Sequence, residues 1–277
     1  MVSVSTSATT EELMAACVAR ELPSTGVGFV GVGSGGRAFT LTFGVPVAAA
    51  SLRFYRDHSD FALILGSAVD PQLDACPAGR WPSSPVNLRY HPDWPASARL
   101  AALDHMDMIC AGHLDVAFTS AAQIDAFGNT NITTIGNHDR PAARLVGCLA
   151  QPELYAFAKT VIVVTDLRKR TFVESVDFVT SVGHLHGGTS RVAAGLSPGG
   201  PHVVVTDKAI FGFAEDSRRM TVKSLHPGVS KSEVADACSF DLVWPQLLPI
   251  TPRPTNRDLT ILRRTIDPFG VLLKGGA

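Results

Sequence analysis

The chain has 277 residues, a net charge of −1, 45% hydrophobic residues and 18% charged ones. This composition supplies a large apolar core and excludes a disordered chain. With no basic stripe or polybasic run and only 7% aromatic residues, neither a nucleic acid nor an anionic membrane is expected as a partner.

Five cysteines, Cys17, Cys76, Cys110, Cys148 and Cys238, are widely spaced, odd in number and without a C-x-x-C pair. They read as reduced thiols of a cytoplasmic protein rather than a disulfide framework. Met1 to Thr10 is rich in Ser and Thr and lacks the basic start and apolar centre of a signal peptide. No run approaches 18 uninterrupted apolar residues, so no transmembrane helix is expected. Residues 1–277 are read as one domain, since no internal repeat and no long linker divides them.

In chain order, a first helix is predicted from Thr10 to Arg20, with Thr9 and Glu12 at capping-box spacing. Val27 to Val30 is a short buried strand that runs into the glycine cluster Gly31 to Gly36. Pro46 marks the start of the next helix, because proline suits a first helical turn. Phe61 to Leu65 is a second buried strand, ending at Gly66-Ser67. The proline-rich stretch 77–97, with Trp81, Tyr90 and Trp94, is an ordered excursion or loop whose aromatic residues either pack on the core or line a pocket. A helix from Ala98 to Ala111 and a strand from Leu114 to Thr119 follow. Val161 to Thr165, Phe172 to Val176, His202 to Thr206 and Met220 to Ser224 are further strands. Ser230 with Glu233 and Thr255 with Asp258 open two short helices, the last ending before Asp267-Pro268. Strands alternating with helices predict an α/β fold: an open, largely parallel sheet flanked by helices.

Three clusters carry candidate chemistry. Gly31, Gly33 and Gly36 fit G-x-G-x-x-G, but a dinucleotide site needs the helix to start at the third glycine, and Pro46 puts it about ten residues later. A tight turn, or backbone amides that hold a carbonyl oxygen or phosphate, are the competing readings. Gln123 to Asn131 lies on a loop after a strand, where α/β folds place ligands. Gln123, Asn129 and Asn131 offer amides there, Asp125 a carboxylate, and Gly128 a turn. A plain turn is the competing reading. His184 and His186 lack a third ligand, so no metal is expected. No nucleophile elbow and no P-loop motif is present.

Taken together, Gln123-Ile124-Asp125 with Gly128 to Asn131, the run Phe172 to Thr180, and Ser224-Leu225-His226-Pro227-Gly228-Val229 resemble the β-subunits of glutaconate-type class I CoA-transferases. The Gly31 to Gly36 turn and the Asp267-Pro268 tail fall in the expected order, so the resemblance covers nearly the whole chain. It implies a CoA-transferase (sugar-isomerase-like) α/β fold, a homologous α-subunit as partner in a heterodimer or higher assembly, and an active site at the interface. It implies an acyl-CoA substrate, with coenzyme A entering only as part of that substrate and no permanent cofactor. Gly33, Ser34, Gly35, Gly36, Gln123, Gly128, Asn129 and Asn131 are then expected to hold the oxyanion and CoA.

In the transferases a β-subunit glutamate at the end of the second strand attacks the thioester. Leu65 stands there in this chain, and no glutamate occurs between Glu21 and Glu153. Leucine has no lone pair for that attack. Gly66, Ser67 and Asp125 remain as catalytic candidates, with Asp70 reached by a larger shift. The loss resembles the steroid ring-opening acyl-CoA hydrolases, whose α-subunit supplies the carboxylate. A hydrolase half is therefore expected, against a genuine transferase, a non-catalytic structural subunit, or sugar-phosphate isomerase-like chemistry.

Overall fold

The computed structural model of the chain describes residues 7–31, 36–71 and 95–274. The chain forms two compact units, one from residues up to Ala102 together with Pro252 onward, the other from Leu103 to Thr251.

The first unit opens with α1 (Thr10–Glu21). Thr9 Oγ1 accepts from the Glu12 amide at 3.2 Å, and the Glu12 carboxylate accepts from the Thr9 amide at 2.8 Å. Two donors that a helix start leaves free are thereby satisfied. Glu12 also pairs with Arg263 at 2.5 Å, tying the start of α1 to the unit's second chain segment. β1 (Thr25–Val30) runs parallel to β2 (Asp60–Leu65), with Thr25 opposite Asp60 and Val30 opposite Leu65. Parallel pairing requires a crossover, and α2 (Arg37–Asp57) supplies it. α2 has the length and apolar composition to cross a bilayer, but 67% of its apolar window is buried inside the fold, as befits a core helix.

The start of α2 corrects the expected start near Pro46: the helix begins at Arg37, directly after Gly36. Burial overrides the weak propensity of Thr-Leu-Thr-Phe-Gly. Phe39 and Phe43 are buried and stacked, with ring centroids 4.9 Å apart. The Thr42 hydroxyl donates to the Ala38 carbonyl at 2.7 Å. Thr40–Gly44 take a wider π-type turn, in which Gly44 lies against the Leu272 backbone with no room for a Cβ.

Gly66 and Ser67 turn β2 into antiparallel β3 (Ala68–Pro71), and β3 pairs with β4 (Ala96–Arg99). Gly66 has φ 56°, as a two-residue hairpin turn requires. The strand order in this unit is β1-β2-β3-β4. Pairing with β3 consumes the first residues of the expected Ala98–Ala111 helix, which shortens to α3 (Ala102–Cys110). The last helix, Asn256–Ile261, has the expected Thr255–Asp258 capping box and continues through a π-type turn over Leu262–Ile266.

In the second unit, β5 (Val116–Thr119) is followed by two small hairpins, β6 (Gln123–Ile124) with β7 (Thr130–Asn131) and β8 (Thr134–Ile135) with β9 (Ala143–Arg144). α4 (Gln151–Phe157) leads to β10 (Thr160–Val164), and α5 (Ser190–Ala193) precedes β11 (Pro201–Val205). β12 (Ala209–Phe213), β13 (Met220–Leu225) and α6 (Lys231–Asp236) complete the unit. β10 is parallel to both β5 and β11, whereas β11, β12 and β13 are antiparallel, in the order β13-β12-β11-β10-β5. Val161 to Val164 and Val203 to Val205 are fully buried, as strands covered on both faces require. The Ser230–Glu233 capping box forms as expected.

One expected strand is corrected: of Phe172 to Val176 only Phe172 makes β-bridges, to Ile124 and to Cys238. The residues beyond it bend away to receive Gln123 instead. β12 went unrecognised because it follows β11 through a short hairpin rather than a helix.

Candidate functional site

Parallel strands present ligands at their carboxyl ends, and in each unit candidate residues stand there. In the first unit Val30 and Leu65 are partners, so Gly31 and Gly66 leave the sheet on adjacent strands. Gly36 caps α2 with φ 64° and ψ −140°, a conformation open to glycine and costly for other residues. The first amide to bond back is that of Thr40, to the Gly36 carbonyl at 3.3 Å. The amides ahead of it form a helix N-terminus, which favours negative charge. The helix start that a phosphate- or oxyanion-holding turn needs is thus present. Gly33, Ser34 and Gly35 lie outside the described residues, as do Trp81, Tyr90 and Trp94. Leu65 is 1% exposed, Ser67 is half-buried, and Asp70 sits in β3 with φ 50°.

In the second unit Gln123, Asp125, Gly128, Asn129 and Asn131 come together in one hydrogen-bonded knot. Asp125 Oδ1 accepts from the amides of Phe127 at 2.9 Å and Asn129 at 3.0 Å, while its Oδ2 accepts from Asn129 Nδ2 at 2.8 Å. Burial raises the carboxyl's pKa above the usual range, and these three donors pull against the rise. Asn129 Oδ1 takes the amides of Gly183 at 2.9 Å and Leu185 at 3.2 Å. Gln123 Oε1 accepts from Asn131 Nδ2 at 2.7 Å and from the Asp177 amide at 3.0 Å. Gly128 (φ 73°) lies under Pro201 and Phe213, and Gly183 lies against the Gly128 and Asn129 backbone, so neither position admits a Cβ. The amide side chains therefore hold the loop's shape.

The residues that complete this knot were not singled out in the sequence. Asp177 Oδ2 takes Gln123 Nε2 at 3.0 Å and the Gly136 amide at 2.8 Å. The Thr180 hydroxyl oxygen accepts from the Ile132 amide at 3.0 Å and lies 2.7 Å from Thr133 Oγ1. Both belong to the Phe172 to Thr180 run, whose partners are distant in sequence and invisible to spacing. Arg191, 3% exposed, donates to the carbonyls of Val182 (2.7 Å), Gly183 (2.8 Å), Ser197 (2.7 Å) and Tyr155. Its planar fork thereby joins the end of α4 to the Gly183 loop.

His184 and His186 point to different environments. His184 is buried, bonds the Pro201 carbonyl through Nε2 at 3.0 Å and meets Phe213 edge-on, whereas His186 is exposed. Burial drives the His184 pKa down to about 4. Among the described residues no group of three His, Cys, Asp or Glu side chains is placed to hold a metal.

Glycine turns and a fixed polar loop thus stand at the carboxyl ends of parallel strands, where α/β folds place their ligand sites. The coenzyme A transferase family model matches residues 91–237. The β-subunit of 3-oxoadipate CoA-transferase from Pseudomonas knackmussii is 32% identical, over 92% of this chain and 92% of its own length. The chain belongs to the coenzyme A transferase family, whose members are enzymes acting on CoA thioesters. The IpdB subunit of a cholesterol ring-cleaving hydrolase from Mycobacterium tuberculosis is 32% identical over 53% of this chain and 58% of its own length. The crystal structure of glutaconate coenzyme A-transferase from Acidaminococcus fermentans superposes with a TM-score of 0.80 at 26% identity, covering 97% of this chain and 98% of that one.

Proposed function

We propose that this chain is the β-subunit of a heteromeric enzyme that hydrolyses an acyl-CoA, opening a ring by a retro-Claisen step. The observation that carries this reading is the apolar end of β2. Leu65 is 1% exposed and apolar at the position where the resemblance to transferases calls for a glutamate, so a covalent acyl shuttle has no nucleophile there. The subunit relationship follows from relatives that are themselves subunits of this type.

In the proposed reaction a carboxylate base takes a proton from water, and the resulting hydroxide adds to a ring ketone. The carbon–carbon bond then breaks toward the thioester, whose enolate carbon takes up a proton, leaving a free carboxylate and an acyl-CoA on the opened chain. The partner subunit supplies the base, since Asp125 has its carboxylate engaged by three donors in the loop. Gly36 with the N-terminus of α2, and the Gly66-Ser67 turn, hold the developing oxyanion or the thioester carbonyl through backbone amides. Gln123, Asp125, Gly128, Asn129 and Asn131 keep the polar loop of the second unit in one shape.

Transfer of CoA between acids is the second reading, favoured by likeness to a transferase subunit over 92% of the chain against 53% for the hydrolase subunit. Product analysis of the co-purified complex with and without an acceptor acid separates the two: acceptor-independent uptake of water supports hydrolysis, and CoA on the added acid supports transfer.

A further inference from the structure

Beyond β10 the chain turns through Asp166-Leu167-Arg168-Lys169-Arg170, three basic residues in a row and all three exposed. The triplet is too short to register as a polybasic run, yet its backbone is firmly held. The Leu167 amide donates to Asp207 Oδ1 at 2.7 Å, and the Thr171 and Phe172 amides donate to the Arg168 carbonyl at 2.8 and 2.9 Å. The Ser239 hydroxyl donates to the Lys169 carbonyl at 3.4 Å. The Ile124 amide donates to the Thr171 carbonyl at 2.7 Å, joining this turn to the Gln123–Asn131 loop. Arg168 is committed: it pairs with Asp207 at 2.7 Å and lies 4.0 Å from Asp166. Lys169 and Arg170 make no ion pair among the described residues. Two unneutralised cations therefore stand on a pinned turn at the carboxyl end of a parallel strand, beside the polar loop.

We infer that Lys169 and Arg170 bind the phosphates of the CoA portion of the substrate, with Arg168 and Asp207 fixing the turn that presents them. The inference rests on the proposed action on CoA thioesters. CoA carries a diphosphate and a 3′-phosphate at the end remote from its sulfur, so a phosphate site stands apart from the thioester site. A guanidinium recognises a phosphate through paired donors, and an ammonium does so as a point charge. The diffuse negative charge of CoA also matches the absence of a carboxylate at these two side chains among the described residues.

Calorimetric titration of the full chain, co-purified with its partner subunit, with CoA, dephospho-CoA, pantetheine and inorganic phosphate at low and moderate salt tests this. For the Lys169→Ala/Arg170→Ala variant the Kd for CoA is expected to rise roughly ten-fold or more, with a weaker salt dependence and unchanged pantetheine binding. A loss confined to CoA relative to dephospho-CoA assigns the turn to the 3′-phosphate; equal losses assign it to the diphosphate. Equal CoA affinity in variant and wild type overturns the inference and leaves the proposed function standing. Inorganic phosphate binding as tightly as CoA, or a matching loss for pantetheine, also overturns it. Failure of the wild-type complex to bind CoA overturns both.

Discussion

Asp125 shows how one side chain fixes a loop. Its two oxygens satisfy three donors, of which two are backbone amides of the turn it belongs to. Asp125→Ala leaves those donors without a partner, so it is expected to lower stability by about 2–3 kcal/mol, read by urea denaturation. An unchanged midpoint would mean that the loop closes without the carboxylate. His184 makes the pH dependence testable. Its pKa falls from 6.5 to about 4 because burial disfavours the charged ring. Stability from the neutral ring is complete above pH 6.5 and is lost as the pH falls toward 4, by up to about 1.4 kcal/mol per pH unit. Asp125, with its pKa raised by burial, has the opposite slope: the stability linked to its protonation is present at low pH and is lost as pH rises through the folded value, while the hydrogen bonds to its carboxylate remain. Denaturation at a series of pH values is expected to show a shallower acid loss in His184→Gln than in the wild type. At this scale Gln123, Asp125, Gly128, Asn129 and Asn131, picked out in the sequence as amides, a carboxylate and a turn glycine after a strand, meet in one hydrogen-bonded loop. The sequence marked Asp177 and Thr180 only as members of the Phe172 to Thr180 run and Arg191 not at all, and gave none of the three a role. Their bonds to Gln123, Ile132 and Tyr155 span 54, 48 and 36 residues, and no spacing rule predicts such contacts.

The elements show the same division between local and distant causes. All three capping boxes expected from Thr9, Ser230 and Thr255 form, because each capping contact joins residues only three apart. The start of α2 was misplaced because its first turns are stabilised from outside the helix. Phe39 and Phe43 are buried, and Gly44 is the residue on which the Leu272 backbone rests. Gly44→Ala forces that contact apart and is expected to cost about 1–3 kcal/mol in spite of the better helix propensity of alanine. A thermal melt that is unchanged or raised would show that propensity, not the docking of Leu272, governs this turn. The expected Phe172 to Val176 strand failed for a related reason: of its apolar residues only Phe172 is fully buried, and Asp177 is drawn toward Gln123 and Gly136.

For the whole chain, the α/β class was legible because apolar strands alternate with helices, and the family was legible in the ordered set of motifs. The reaction was not, since it turns on what stands at the end of β2 and on a base that the proposed mechanism draws from the partner. The central claim is that Leu65 leaves the complex without a covalent shuttle for CoA, so that water adds to the ring ketone and no second acid receives CoA. The most direct test incubates the co-purified complex with a panel of cyclic β-keto acyl-CoAs in ¹⁸O-labelled water, with and without acetate or succinate, and follows products by mass spectrometry. The account predicts acceptor-independent turnover with the label in a new carboxylate on a chain still joined to CoA. Appearance of the added acid as its CoA thioester, with no label in the acyl product, would contradict it.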